Sequence, residues 1–124
     1  MTLTVEGQNL DFDCSNPEHL ARYQAALVHL KKVDISQIAK MGENRSDAQA
    51  LRAYIELLNE TVVHFMAYLT EMFGEEAATK LIGDNRSLTR VIDVQEAIFE
   101  AIAEQQTAIE RRFAQYAPNR NVKE

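Results

Sequence analysis

The side chains best suited to catalysis are carboxylates at helical spacing. Glu56 and Glu60 lie one helical turn apart, and Glu75 adjoins Glu76. Paired carboxylates can serve as general acids and bases in enzymes. However, the first pair falls on the side of its helix that we expect to face solvent. The second pair begins a helix, where negative charge is favourable. We therefore predict no catalytic residue among them and expect a non-enzymatic protein.

Metal ligation is the second chemistry that the side chains could support. The candidates are His19, His29, His64 and Cys14. His19 and His29 are separated by about 15 Å along one helix, too far to share a metal ion. A single cysteine can build neither an intramolecular disulfide nor a Cys-rich zinc site. We expect no metal and no cofactor, and we expect Cys14 to fill space as a small apolar side chain.

Positive charge concentrates near the C-terminus, at Arg111, Arg112 and Arg120. One interpretation is a solvated helix end whose cations complement the helix dipole. The alternative is a contact with an anion, either a nucleic acid or an acidic partner. The net charge of −6 disfavours nucleic acid as a partner, because such binding depends on Lys and Arg neutralising phosphates.

Length and composition indicate a single helical domain spanning residues 1–124. A chain of 124 residues with 46% hydrophobic content can bury a core without a metal or disulfide. The low counts of Gly (4) and Pro (2) favour long helices. No apolar run approaches the length of a membrane span, and the opening residues lack the pattern of a secretory signal. We therefore expect a cytoplasmic protein with no membrane partner.

The chain begins with alternating apolar and polar residues, which predict a β-hairpin over residues 2–13 with a turn at residues 6–9. A helix with Ser15 as its N-cap should follow and run to about Lys32. Its expected buried stripe is Leu20, Tyr23, Leu27 and Leu30. A short helix over residues 35–41 should come next, after a break near Asp34.

The central helix should begin at Ala48, span about 26 residues and end at Gly74. Its main apolar face predicts core positions, and it also carries a weaker stripe that includes Leu57, His64 and Tyr68, which we take as candidate partner contacts. A short helix should lead to Gly83. The last long helix offers Ile109 and Phe113 as further candidate contacts, before a frayed tail at residues 115–124.

The helices should pack as a compact bundle of three main helices with short connecting helices, a mainly α fold behind the N-terminal hairpin. The expected core residues are Leu58, Val62, Phe65, Leu69, Phe73, Leu81, Ile92 and Phe99.

Three sequence pieces resemble a family of small phage and prophage tail-module proteins, often described as tail assembly chaperone-like. The first is Val5-Glu6-Gly7 with Leu10-Asp11-Phe12, similar to the family's opening hairpin. The second is the aromatic-rich segment 65–75, which closes on Phe-Gly-Glu. The third is the segment 80–85, which ends in Gly-Asp-Asn.

This resemblance implies a binding role without enzyme activity or cofactor. The partner would be another phage tail protein, held before assembly, or a second copy of the chain. The protein would then work in the host cytoplasm, with the virion as the alternative location. Two other functions stay open: a self-assembling minor structural protein of the virion, and a small regulatory or nucleic-acid-associated protein.

Overall fold

The computed structural model describes residues 1–44 and 47–116, which form a hairpin followed by five α-helices. The elements are β1 (Thr2–Val5), β2 (Gln8–Asp11), α1 (Pro17–Leu30), α2 (Ile35–Met41), a 3₁₀ turn (Gly42–Asn44), α3 (Ala48–Phe73), α4 (Glu75–Ile82) and α5 (Leu88–Tyr116). This order confirms the mainly α fold with an N-terminal hairpin, three main helices and short connectors.

The hairpin has a tighter turn than the sequence predicts. The strands are antiparallel, and Val5 pairs with Gln8, so only Glu6 and Gly7 form the turn. Both have positive φ, 51° and 77°, as a two-residue type I′ turn requires. Leu3, Val5 and Leu10 point into the core.

Capping side chains begin the helices, but two predictions about helix ends are wrong. Asn16, not Ser15, caps α1: its side chain accepts a hydrogen bond from the Glu18 N–H at 2.9 Å. The Ser15 hydroxyl instead donates to Asp13. The tail predicted from residue 115 also begins too early, because α5 continues through Tyr116. Residues 117–124, with Arg120, lie outside the described residues.

The three main helices are linked so that α3 and α5 run in the same direction. Phe65 of α3 lines one cavity with Val91 of α5. Further along both helices, the Phe73 ring packs edge-on against Phe12, and Phe12 lines another cavity with Ile102. The short α4 is therefore the crossover that returns the chain, and α1 packs against α3.

The core contains Val62, Phe65, Leu69 and Leu81 as predicted. Leu58 and Phe73 are only half-buried. Three expectations are wrong, because Leu20, Ile92 and Phe99 are exposed. In α5 the reason is geometric, because the stripe that faces the core consists of Val91, Val94, Ile98, Ala101 and Gln105. Ile92 and Phe99 each follow a buried residue directly and lie about 100° around the helix from it.

Gln105 is a buried polar residue that fastens the hairpin to α5. Its Oε1 accepts a hydrogen bond from the Cys14 N–H at 2.7 Å. Its Nε2 donates to the carbonyl oxygens of Thr2 at 3.1 Å and Phe12 at 2.8 Å. One side chain thus satisfies backbone groups on both sides of the hairpin at its open end. At the hairpin's turn, the Arg90 guanidinium donates to the Leu81 carbonyl and lies 3.5 Å from Glu6.

Replacing Gln105 by Ala should lower the free energy of unfolding by about 2–4 kcal/mol, because three hydrogen bonds disappear and buried backbone groups lose their partners. Urea unfolding followed by circular dichroism measures this loss. The matched control is Gln106→Ala, at an exposed neighbour, which should change stability by less than about 0.5 kcal/mol. Equal small losses in the two variants would show that Gln105 does not hold the hairpin.

Candidate functional site

Helix α5 carries a second apolar stripe in addition to the buried one. We call it the α5 seam; its residues are Ile92, Gln95, Phe99, Ile102, Gln106, Ile109, Phe113 and Tyr116. Steps of three and four alternate along it, which is the heptad spacing of a helix that pairs with another helix. Its large side chains reach solvent: Phe99 is 53% exposed and Phe113 62% exposed.

Three cavities follow one another along the α5 seam, and together we call them the α5 groove. The upper cavity, about 280 Å³, joins Ile92, Gln95 and Phe99 to Leu30, Val33 and Ile35 at the α1–α2 connection. The middle cavity, about 300 Å³, joins Phe99, Ile102 and Gln106 to Phe12, Leu20 and Tyr23. The lower cavity, about 340 Å³, joins Ile109, Phe113 and Tyr116 to Met1, Asp13 and Ser15.

The groove changes character along its length. The linings of the upper and middle cavities are dominated by aliphatic and aromatic side chains, with Phe99 shared between them. The lower cavity adds polar and charged groups from Asp13, Ser15 and Arg112. An apolar floor with a polar end suits a protein segment that presents large side chains.

Tyr68 and Gln95 form a buried and poorly satisfied polar pair. Burial raises the pKa of the Tyr68 hydroxyl to about 12, and the neighbouring Gln95 amide opposes that rise. The two groups are close enough to interact, yet neither the hydroxyl nor the amide atoms of Gln95 meet hydrogen-bond geometry with any described residue. The Gln95 side chain lines the upper cavity, but its amide nitrogen and oxygen are buried.

The groove contains only two of the five predicted partner contacts. Ile109 and Phe113 line its lower cavity. Leu57 and His64 are half-buried on α3, away from the groove. Tyr68 is fully buried, so its assignment as a partner contact is wrong. The cause is that α3 is packed on more than one side from Thr61 onward, which turns its weaker stripe into core.

The arginine cluster is only partly assembled. Arg111 and Arg112 are both exposed on the last turns of α5. They project about 100° apart around the helix, and only Arg112 lines the lower cavity. The third member, Arg120, lies outside the described residues.

The upper and middle parts of the groove were not predicted from the sequence. Ile92, Phe99 and Leu20 were expected to be buried, whereas the structure leaves them exposed. The heptad spacing from Ile92 to Tyr116 was a usable signal. It overlaps the buried stripe of the same helix, so the two stripes resemble one broad apolar face in the sequence.

His19, His29 and Cys14 make contacts that are typical of structural residues. The Nδ1 atom of His19 accepts a hydrogen bond from the Asp13 N–H at 2.8 Å. His29 lies 3.7 Å from Glu71. Burial raises the pKa of the Cys14 thiol, which disfavours the reactive thiolate. Within residues 1–44 and 47–116, no group of three or more His, Cys, Asp and Glu side chains is arranged to hold a metal ion.

Across the same ranges, no helix has the length and apolar character that a membrane crossing requires. Fold and groove together define a small, mainly α protein with an N-terminal hairpin and an open apolar groove along its last helix. The chain belongs to the family of unknown function DUF6673, whose model matches residues 6–124. No curated protein and no solved structure matches it.

The raised pKa of Tyr68 predicts a specific loss of stability at high pH. The folded protein holds the phenolic proton more tightly than the unfolded chain, whose Tyr titrates near 10. This contribution is therefore complete below pH 10 and is lost as the pH rises toward about 12. Between pH 9 and 11 the original protein should lose about 1.4 kcal/mol more than Tyr68→Phe.

Chemical unfolding at a series of pH values tests this expectation. At pH 7, Tyr68→Phe should match or exceed the original stability, because it removes a buried hydroxyl with no hydrogen bond. Tyr116→Phe serves as the control, since Tyr116 is 85% exposed, and it should leave the pH profile unchanged. Parallel profiles for the original protein and Tyr68→Phe would contradict the burial argument.

Proposed function

We propose that this protein is a non-enzymatic binding protein of phage or prophage tail assembly. It holds another tail protein along the α5 groove before that protein enters the tail, as a chaperone does. The observation that carries the proposal is the row of large apolar side chains that the α5 seam exposes within a formed groove. Protein-binding sites characteristically place such anchors in a central apolar patch.

The shape of the groove favours a protein segment over a small molecule. Each cavity has a volume of about 280–340 Å³, at the lower end of the range for small-ligand pockets. The cavities instead form a row along one helix. The seam from Ile92 to Tyr116 covers about 36 Å at 1.5 Å per residue. This length matches an extended contact with another chain.

The tail-assembly context comes from the resemblance of the hairpin, the Phe73-Gly74-Glu75 helix junction and the Gly83-Asp84-Asn85 turn to small tail-module proteins. Before assembly, a tail subunit exposes the apolar surfaces that its neighbours later cover. A protein that covers them needs an apolar surface of its own, and the groove offers one. The work would take place in the host cytoplasm, with retention in the virion as the alternative.

A self-assembling structural protein is the second candidate function. The heptad spacing of the α5 seam favours it, because the same spacing allows two copies to pair through α5. Sedimentation of the purified protein at several concentrations distinguishes the two candidates. A stable oligomer that excludes a tail subunit would favour self-assembly.

Phe99→Asp should abolish capture of a tail subunit, because it places a charge where the upper and middle cavities meet. The measurement is co-expression with the tail proteins encoded beside the gene, followed by affinity capture and quantification of each one. Val63→Asp is the matched control, since Val63 is 55% exposed and lies on α3 outside the groove. It should retain the same subunit.

Two outcomes would contradict the proposal. One is that no tail protein is retained by the original protein. The other is that Phe99→Asp and Val63→Asp retain the same subunit equally. Unfolding curves of both variants confirm that each is folded before capture is compared.

A further inference from the structure

We propose that the segment held in the α5 groove is an amphipathic helix of another protein, with Lys or Arg along one edge of its apolar face. This inference rests on the proposed function and specifies the chemistry of the partner. It follows from the heptad frame of α5 and from the charges that flank the α5 seam.

The heptad frame leaves one flank of the seam open. With Ile92 and Phe99 at a positions, the g positions Val91, Ile98 and Gln105 are buried in the protein's own core. The last g position, Arg112, is exposed and lines the lower cavity. A docking helix therefore cannot contact the g flank along the upper and middle cavities. The opposite flank carries the e positions, including Glu96 and Glu110, which are exposed. Along the upper and middle cavities, partner selection by charge must occur on this e flank.

The open flank has a single sign of charge along the upper and middle cavities. Between Val91 and Glu110, α5 contains no Lys or Arg. Glu96 and Glu110 occupy e positions, Asp93 and Glu100 occupy the b positions beside them, and all four are exposed. Glu104 lies on the far side of α5, near Thr2 and Thr4 of the hairpin. A helix with basic e or g residues would gain attraction here, and an acidic one would be repelled.

A second copy of the chain fits this surface poorly. Pairing two α5 helices along their seams would bring both acidic flanks to one interface, from chains that each carry a net charge of −6. Like charges placed together across an interface oppose association. The same argument that selects a basic partner thus disfavours self-pairing.

The seam also contains polar positions that set the register of the partner. Gln95 takes a d position one turn before the apolar anchor Phe99, and Gln106 takes an a position one turn after Ile102. A polar residue within a heptad seam fixes alignment, because it must face another polar group.

Synthetic helical peptides test the inference on the full-length protein. The probe has 24 residues, with Leu and Ile at a and d positions and Lys at e and g positions. A second peptide replaces each Lys by Glu, and a third scrambles the order of the Lys peptide. Fluorescence anisotropy measures binding. We expect the Lys peptide to bind at least tenfold more tightly than either other peptide, and we expect this advantage to shrink as salt concentration rises.

Charge reversal locates the contact on α5. Glu96→Lys combined with Glu110→Lys should weaken binding of the Lys peptide at least tenfold and strengthen binding of the Glu peptide. The matched control is Glu56→Lys with Glu60→Lys, which makes the same change in net charge at two exposed positions of α3. Its effect on the Lys peptide should stay below threefold. Phe99→Asp should abolish binding of the Lys peptide, whereas Val63→Asp should preserve it.

Two results would overturn the inference. One is equal affinity for the Lys and Glu peptides, and the other is an equal effect of the two charge-reversed variants. A stable dimer that is disrupted by Phe99→Asp would assign the groove to a second copy instead. These results differ from a failure of the proposed function. If Phe99→Asp abolishes capture of a tail subunit but Glu96→Lys with Glu110→Lys does not affect it, the proposed function holds and only the basic helix is ruled out as the partner segment.

Discussion

The hydrogen bonds of Gln105 are the constraint on which the rest of the structure depends. A two-stranded hairpin is marginal by itself in water, and this one is held in place because a buried amide bonds backbone groups on both sides of its open end. Once the hairpin lies against α5, Leu3, Val5, Leu10 and Phe12 close the core on that side. Phe12 then contacts Tyr23 of α1 and Phe73 of α3, so one side chain on α5 indirectly positions all three main helices.

Helix α5 divides its surface between the core and the proposed binding site. Its buried stripe packs in the core, and the α5 seam, rotated by about one residue, stays exposed. Because both stripes belong to one helix, the groove is formed in the protein alone, and docking at the proposed site would require little ordering of the protein itself. The opposing wall is supplied by segments from three parts of the chain: the α1–α2 connection, the start of α1 and the hairpin.

Local sequence patterns were sufficient to predict the helices and strands, but not to predict which apolar residues lie on the surface. Apolar alternation predicted the hairpin, and the run from Ala48 to Phe73 predicted a helix with the bounds that the structure has. The assignments of Phe99 and Tyr68 were wrong because periodicity shows which residues share a face, but not which face a neighbour covers. The role of Gln105 was out of reach for the same reason, since its partners are 91 to 103 residues away along the chain.

The lower cavity brings together segments that lie far apart in the sequence, before α1 and at the last turns of α5. Met1, Asp13 and Ser15 form one wall of the lower cavity, and Ile109, Phe113 and Tyr116 form the other. The ribosome releases the first wall more than 90 residues before the second. A nascent or truncated chain that stops before Gln105 has neither the clamp on its hairpin nor the lower cavity. The lower cavity therefore forms only after the ribosome has released the chain through Tyr116, so a nascent chain would gain this part of the proposed site last.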